Sequence, residues 1–294
     1  MQSLNSQLSV CICTRNRPKE LHKAIQSVLN SSIPAHEIII SDDSTNEETR
    51  QWIAHAFPSV TYLNGPKKGL CANRNHILPA VTGSHLLFMD DDVVMQEHFI
   101  RNALAALQAV NQGQRDKAII TGLELNHGLL VYPNNQSFLG HQSKPYEYEK
   151  GNIQTVVINS TIFPAELFKE IQFDEQLIYG YDEVDLTTRA VKLGYTIYLC
   201  KEAVNHHFPS SENRDYYRPV KEASRIYVTY KRYRQTDRTL MKAYMFLLLA
   251  GAHITANKLR TSGIKGMRDA FQTLMISRKY IRNMKQVHAA AETR

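Results

Sequence analysis

Short apolar runs alternate with longer amphipathic stretches through the first two thirds of the chain. Runs rich in β-forming residues at 8–13, 37–41 and 84–89 are each followed by polar residues, a pattern that predicts strands. Between the first two runs, residues 18–30 carry apolar side chains at helical spacing. Because strands that alternate with helices indicate βαβ units, we expect an α/β chain with a mainly parallel, doubly wound sheet.

The same patterns predict further elements, namely strands at 61–64 and 196–200 and helices at 69–80, from about residue 96, and at 182–193. Polar clusters at 14–17, 42–46 and 90–92 follow three of the predicted strands. Ligands bind beyond the carboxyl ends of the strands in sheets of this kind, so we expect the three clusters to share one site.

Three adjacent carboxylates, Asp90, Asp91 and Asp92, follow the apolar run at 84–89. They repel one another and resist burial, and a divalent cation is the usual remedy. In an extended chain Asp90 and Asp92 point to the same side. Two oxygen ligands on one face favour Mg²⁺ or Mn²⁺ over zinc. The alternative is an acidic turn that caps the helix predicted from about residue 96.

Five segments of the chain resemble, in order, the motifs of family 2 glycosyltransferases. They are residues 9–17, 38–45, 69–75 and 87–92, and residues 173–186 together with Arg189. Each motif alone is weak, but five in order make a specific match. The resemblance implies the GT-A fold, a Rossmann-like mainly parallel sheet flanked by helices, here with a C-terminal helical appendage. It also implies an inverting enzyme that uses a nucleotide-sugar donor.

The resemblance assigns roles to residues in the first four segments. A loop would wrap the nucleotide, an acidic pair would lie near its base and ribose, an arginine would lie against its diphosphate, and a DXD motif would contact the ribose and a bridging cation. These residues are Thr14, Arg15, Asn16 and Arg17 for the loop, Asp42 and Asp43 for the pair, Arg74 for the diphosphate, and Asp90, Asp91 and Asp92 for the DXD motif. For Arg74, an ordinary surface arginine is the alternative.

Transfer also needs a base that takes the proton from the acceptor hydroxyl. The resemblance places this carboxylate in an acidic pair, which reads Asp182-Glu183 here although many relatives have the reverse order. By position the base is Glu183, and Asp182 is the alternative. Both could instead be ordinary carboxylates in the first helical turn. Asp185 and Arg189, four residues apart, are expected to pair along this helix.

The family often has a histidine beyond the next strand that reaches the metal or the diphosphate. Here that position offers His206 and His207, so one of them is the candidate third metal ligand. Adjacent side chains diverge in an extended segment, so we do not expect both to bind one ion. The sequence does not choose between them.

Charge is divided unevenly along the chain. Residues 1–210 contain 17 Lys and Arg and 22 Asp and Glu residues, whereas residues 211–294 contain 18 and 6. We therefore expect a catalytic domain at 1–210 and a basic helical region at 211–294. Basic amphipathic helices with aromatic residues suit an anionic membrane surface, so we expect peripheral attachment through 215–285. The alternatives are a helical subdomain packed on the core and a dimerisation element.

The membrane hypothesis does not include a spanning helix, because the apolar run at 243–252 is shorter than the about 20 residues that a bilayer requires. The four cysteines lack metal-ligand spacing and suit a reducing cytosol, and the chain lacks a leader of secretory type. We expect a cytoplasmic protein, peripheral on the inner face of the membrane. No nucleic-acid recognition fold accompanies the basic tail, so no nucleic-acid partner is expected.

The leading interpretation is a metal-dependent inverting glycosyltransferase of bacterial-type polysaccharide or lipid-linked glycan assembly. Its donor by resemblance is a UDP-sugar, with GDP as the alternative nucleotide, and its cofactor is Mn²⁺ or Mg²⁺. Residues 124–152 are the candidate acceptor segment. One alternative is a sugar-nucleotide nucleotidyltransferase, although the loop at 14–17 lacks the glycines that such enzymes use. The other is an inactive homologue that acts as a binding scaffold.

Overall fold

The computed structural model describes residues 6–148, 152–209 and 214–291, and within them all side chains except those of 214–217 and 285–291. Residues 149–151 of the candidate acceptor segment lie outside this range, as do residues 210–213, where the charge distribution divides the chain. The strands are β1 Leu8–Thr14, β2 Glu37–Asp42, β3 Thr61–Asn64, β4 His85–Asp90, β5 Val93–Met95, β6 Ala118–Asn126, β7 Leu129–Val131, β8 Asn134–Gln136, β9 Gln142–Pro145, β10 Thr161–Pro164 and β11 Thr196–His207. The helices are α1 Pro18–Leu29, α2 Glu48–Ala56, α3 Leu70–Ile77, α4 Phe99–Ala109, α5 Leu167–Glu170, α6 Asp182–Lys192, α7 Arg214–Lys231 and α8 Leu240–Ala291.

The main sheet has the strand order β3-β2-β1-β4-β10-β6-β11-β5, and β7 pairs with the end of β6. Strands β1, β2, β3 and β4 are parallel, as the alternating pattern predicts. The predicted α/β fold class is confirmed, but the sheet is mixed, because β10 lies antiparallel between β4 and β6. Strand β5 is also antiparallel to its neighbour β11.

Two hydrophobic clusters cover the two faces of the sheet. Leu8, Val10 and Ile12 of β1 join the cluster that includes α1 and α4. Cys11 and Cys13, which alternate with them, join the cluster that includes α6, α7 and α8. Both cysteines are buried, which agrees with a packing role as small apolar residues. Strand β1 is thus covered on both sides, as expected for a central strand of a doubly wound sheet.

Two predicted boundaries differ from the structure. The helix expected from about residue 96 begins at Phe99, because residues 93–95 form β5 and pair with the end of β11. The strand expected at 196–200 continues to His207, with a register shift between Leu199 and Val204. The irregularity interrupts the apolar pattern, which explains why the sequence predicts a shorter strand.

Helix α8 turns back on itself at Gly263, whose φ of 56° and ψ of −147° are essentially restricted to glycine. Lys258 Nζ lies 3.3 Å from Asp269 Oδ2, whereas eleven residues of straight helix would cover about 16 Å. Tyr244 from the first arm and Tyr280 from the second both contact α7. Helix α8 is therefore a hairpin. Throughout the described chain, no helix has the length and apolar character needed to cross a bilayer.

Candidate active site

The carboxyl ends of β1, β2 and β4 lie side by side in the sheet. Thr14 is the register partner of Asp42, and Cys13 is the partner of Asp90. The three polar clusters that follow these strands therefore meet at one edge, where ligands bind in sheets of this kind.

Asn16 connects the loop after β1 to the loop after β2. Its backbone N–H donates to Ser44 Oγ at 2.7 Å, and its Oδ1 accepts from the Thr45 N–H at 2.9 Å. Asn16 has a φ of 55°, in the left-handed region that asparagine tolerates better than most residues. The neighbouring Arg15 is exposed. The loop at 14–17 is thus held by side chains, and Arg15 extends from it into solvent.

The acidic pair after β2 is buried and accepts hydrogen bonds. Asp42 accepts from Tyr62 Oη and from the Ser44 N–H, both at 2.8 Å. Asp43 accepts from the Lys67 N–H at 2.8 Å, and so holds the loop that precedes α3. These contacts fix the two carboxylates before any ligand arrives.

Each carboxylate of the triplet has a cationic neighbour. Asp90 Oδ1 lies 3.1 Å from the Arg74 guanidinium. Arg17 contacts both Asp91 Oδ1, at 2.7 Å, and Asp92 Oδ2, at 3.0 Å. His207 Nε2 lies 3.2 Å from Asp92 Oδ1. The mutual repulsion of the three acids is thereby offset by two arginines and a histidine.

The environments of these groups move their pKa values in different directions. Burial raises the pKa of Asp91 to about 7, although Arg17 and Thr14 oppose the shift. Burial acts the same way on Asp92, but its contacts with His207 and Arg17 outweigh it and hold the pKa below its ordinary value. Burial lowers the pKa of His207, but Asp92 and Glu124 raise it to about 10. Asp92 is therefore the more strongly ionised of the two acids.

Asp90, Asp92 and His207 offer ligand atoms that all lie within 4.8 Å of one another. Asp92 Oδ1 is buried and makes no hydrogen bond, so it lacks the partner that a buried oxygen requires. Two carboxylates and one imidazole suit Mn²⁺ or Mg²⁺, so this donor set fits the cation expected from the sequence.

The two adjacent histidines point to different neighbours. His206 contacts the side chain of Gln96, which follows β5. His207 contacts Asp92 and Glu124 instead. The pairing of β11 with β5 places Val93 opposite His207, so strand register brings His207 rather than His206 to the carboxylates.

Arg74 is buried, with 2% of its side chain exposed, which excludes the alternative of a surface arginine. Its guanidinium contacts Asp182 and Asp90 and lies 5.4 Å from the centre of the Phe173 ring. Arg74 thus connects the DXD motif to the first turn of α6.

The two carboxylates proposed for the base differ in their partners. Gly180 and Tyr181 both have positive φ, and this turn presents Asp182 and Glu183 in the first turn of α6. Asp182 is buried and pairs with Arg74. Burial and the charge of Asp182 raise the pKa of Glu183 to about 7. The pair predicted between Asp185 and Arg189 also forms, at 2.7 Å.

The sequence predictions did not place Glu124 or Asn159 beside the candidate cation ligands, although Glu124 opens the candidate acceptor segment. Glu124 ends the buried part of β6 and contacts His207 Nδ1 at 2.7 Å. Asn159 donates to Glu124 and accepts from the Asp90 N–H at 3.0 Å. A carboxylate at the end of a buried strand is a signal that could have identified Glu124. The sequence around Asn159 offers no comparable signal.

Helix α7 contacts the last of the five motif segments. Lys231 Nζ lies 2.6 Å from Asp174 and 2.9 Å from Asp185. Tyr227 Oη donates to Asp174 at 2.6 Å. Asp174 is therefore held by two side chains of α7.

Comparison with known proteins supports the resemblance. The sequence model of Glycosyl transferase family 2 matches residues 9–171. The GalNAc(5)-diNAcBac-PP-undecaprenol β-1,3-glucosyltransferase of Campylobacter jejuni is 32% identical over 117 residues, 36% of this chain and 35% of that relative. An uncharacterized glycosyltransferase of Haemophilus influenzae is 29% identical over 85 residues, 29% of each chain. The matches thus span about a third of these relatives.

Solved structures show the same fold at low identity. TarS of S. aureus aligns with a TM-score of 0.58 and 16% identity over 87% of this chain and 45% of its own. GalNAc-T7, solved with UDP, GalNAc and Mn²⁺, aligns with a TM-score of 0.63 and 14% identity over 81% of this chain and 50% of its own. The fold is therefore GT-A. Since the family model covers more than half of the residues, the chain belongs to glycosyl transferase family 2.

Proposed function

We propose that this glycosyltransferase is inverting and metal-dependent, and that it moves a sugar from a nucleoside diphosphate to an acceptor hydroxyl. The observation that carries the proposal is the cluster of Asp90, Asp92 and His207 at the strand ends. These three residues would hold Mn²⁺ or Mg²⁺. When bound, the cation supplies positive charge that stabilises the departing diphosphate.

The donor site is built from the loops beside this cluster. We assign the nucleotide to the loop at 14–17 and to Asp42 and Asp43, which are already held by hydrogen bonds. Arg74, with its buried guanidinium beside Asp90, contributes positive charge toward the diphosphate. UDP is the first nucleotide to test, because the GalNAc-T7 structure contains UDP and Mn²⁺.

Glu183 is the proposed base. Its raised pKa, about 7, suits a group that must accept a proton near neutral pH. Asp182 is already engaged by Arg74, which favours a positioning role for it. The reversed order of the acidic pair therefore leaves the longer side chain free to reach the acceptor hydroxyl.

The proposed acceptor is a lipid-linked glycan. One relative is named for an undecaprenol-linked substrate, and we extend this class of acceptor to the present chain. An open groove of about 520 Å³ lies along β7, and its lining includes Leu129, Tyr132 and Tyr148. Strand β7 pairs with Glu124–Asn126 of β6, so the groove begins beside the proposed cation site. We assign the acceptor to this groove.

We propose that the membrane surface lies on α8. Several residues in and just after α7 that suit a membrane by sequence are buried in the core, namely Arg225, Ile226, Tyr227, Tyr230 and Tyr233. Helix α8 instead exposes Met241, Leu248, Ile264 and Phe271 beside lysine and arginine side chains. We propose that this face attaches to the anionic inner surface of the membrane, where a lipid-linked acceptor would lie.

Calorimetric titration of a panel of nucleoside diphosphates, with and without Mn²⁺, tests the proposal. Binding should require Mn²⁺ and disappear in Asp92→Ala, whereas the exposed Asp116→Ala should bind like the wild type. Nucleotide binding that ignores Mn²⁺ and survives in Asp92→Ala would contradict the proposal. Pyrophosphate exchange activity would instead identify a nucleotidyltransferase, and nucleotide binding without donor hydrolysis or transfer would identify a scaffold.

A further inference from the structure

Glu124 is a buried carboxylate beside the candidate cation ligands, with 8% of its side chain exposed. It lies near the end of β6, where its register partner in β11 is Asn205. A buried carboxylate is costly unless its oxygens are hydrogen-bonded, so the partners of Glu124 indicate its role.

The two oxygens of Glu124 have different partners. Oε2 accepts from His207 Nδ1 at 2.7 Å, and Oε1 accepts from Asn159 Nδ2 at 3.1 Å. The Asn159 amide has a defined orientation, because its Oδ1 accepts from the Asp90 backbone N–H at 3.0 Å. An ionised carboxylate only accepts hydrogen bonds, so His207 carries a hydrogen on Nδ1. The opposite ring atom, Nε2, is the one that faces Asp92.

These contacts close a ring around the cation cluster. The ring runs from the Asp90 backbone through Asn159 and Glu124 to His207, and from there to Asp92. Asn205 also holds Asn159 in place, since its Nδ2 donates to the Asn159 carbonyl at 2.7 Å. Hydrogen bonds thus connect the Asp90 backbone to His207, and the His207 Nε2 atom lies 3.2 Å from Asp92 Oδ1.

We infer that Glu124 is a positioning residue for the cation, acting through His207. It orients the imidazole so that Nε2 faces the cation, and through Asn159 it sets the distance between His207 and the backbone of Asp90. Carboxylate partners of this kind orient metal-binding histidines and increase their basicity. The inference rests on the proposed cation site.

Glutamine cannot replace Glu124 in this arrangement. Both neighbours, His207 Nδ1 and Asn159 Nδ2, are donors, and a glutamine amide has only one acceptor oxygen. In Glu124→Gln one pair of donors would face each other unless the imidazole or the Asn159 amide rotates, or the imidazole moves its hydrogen from Nδ1 to Nε2, the atom that faces the cation. We therefore expect Glu124→Gln to weaken Mn²⁺ binding by about 10- to 100-fold.

The test is Mn²⁺ titration of the full chain by calorimetry, with and without UDP, in wild type, Glu124→Gln, His207→Ala and the double variant. Positioning through His207 predicts that Glu124→Gln weakens Mn²⁺ binding in the wild type and has no further effect in the His207→Ala background. The matched control is Glu170→Gln, which removes a carboxylate that accepts from Tyr195. Thermal melting reports whether each variant is folded.

Three results are decisive. Two results would overturn the inference but leave the proposed cation site intact. One is a wild-type Mn²⁺ affinity in Glu124→Gln. The other is an equal loss of Mn²⁺ affinity with and without His207, because it would show a general structural effect of the substitution. Absence of Mn²⁺ binding to the wild type would overturn the proposed cation site itself. If Glu124→Gln does not fold, Asn159→Ala provides a second test. This variant should weaken Mn²⁺ binding less than the expected effect of Glu124→Gln, and only when His207 is present.

Discussion

The edge of the sheet and the exposed residues of α8 differ in how their charged side chains are arranged. At the sheet edge, the acids at 90–92 are paired with Arg17, Arg74 and His207 and are largely shielded from solvent. On α8, apolar side chains such as Ile264, with 88% exposed, face solvent among lysine and arginine residues. The charges of the first surface are largely paired within the chain, whereas the second has the composition of a surface that contacts something else.

Helix α7 lies between these regions and explains part of the uneven charge along the sequence. Lys231 is paired with Asp174 and Asp185 of the catalytic region, so positive charge in the tail offsets negative charge in the sheet-bearing part. Net charge by segment therefore overstates how much of the tail is available to a membrane. The remaining basic residues on α8 are the ones relevant to the proposed membrane contact.

The largest expected effect concerns the sheet edge. Glu183→Gln should lower kcat by about 10²- to 10⁴-fold, because the acceptor proton would lose its base. Nucleotide binding, thermal stability and vesicle binding should stay at wild-type values. A steady-state assay with a UDP-sugar donor measures the change. If Asp182→Asn lost kcat in this way while Glu183→Gln kept it, the base assignment would be wrong.

The next largest effect concerns α7. Lys231→Met should lower the free energy of unfolding by about 3 kcal/mol, because the half-buried Asp174 would lose its cation and the buried Asp185 would keep only Arg189. Urea denaturation measures this change. Lys265→Met, at an exposed position of α8, should change the same free energy by no more than about 0.5 kcal/mol. Equal losses of unfolding free energy in the two variants would show that the lysine on α7 stabilises the fold no more than the lysine on α8.

A smaller effect is expected on the outer face of α8. Ile264→Ser should weaken sedimentation with anionic vesicles by about tenfold, corresponding to about 1.5 kcal/mol of lost apolar burial. Its stability should match the wild type, because the side chain is exposed. Leu29→Ser, which removes a side chain that is 48% exposed at the end of α1, is the matched control and should bind vesicles normally. Vesicle binding that is unchanged in Ile264→Ser would count against attachment through this face.

The last expected effect, stated per pH unit, is a pH dependence at the sheet edge. With a pKa of about 7, Glu183 is protonated below neutral pH and cannot accept the acceptor proton. The value of kcat/KM should therefore fall about tenfold per pH unit below pH 7 and level off above it. A profile that stays flat between pH 5 and pH 8 would show that this carboxyl group does not control the rate.

Local pattern predicted much of the sheet and of the site. Strands β1, β2 and β4 follow from short apolar runs, and the polar residues after them meet because parallel strands end at the same edge. Strand β10 was not predicted, since four residues between irregular segments carry no clear period. Glu124 and Asn159 were missed for a related reason, because their partners lie far away in sequence.

By itself, the amino-acid sequence determined the α/β class, the family and the residue types that gather at the strand ends, because these depend on periodicity and on motifs read in order. Tertiary structure decided the rest. Strand register selected His207 over His206, and the burial of Arg74 joined Asp90 to Asp182. Packing also divided the basic tail into a helix that is largely buried and a hairpin that exposes apolar side chains. Composition gives only the number of charges in a segment, and the fold determines which of those charges are paired.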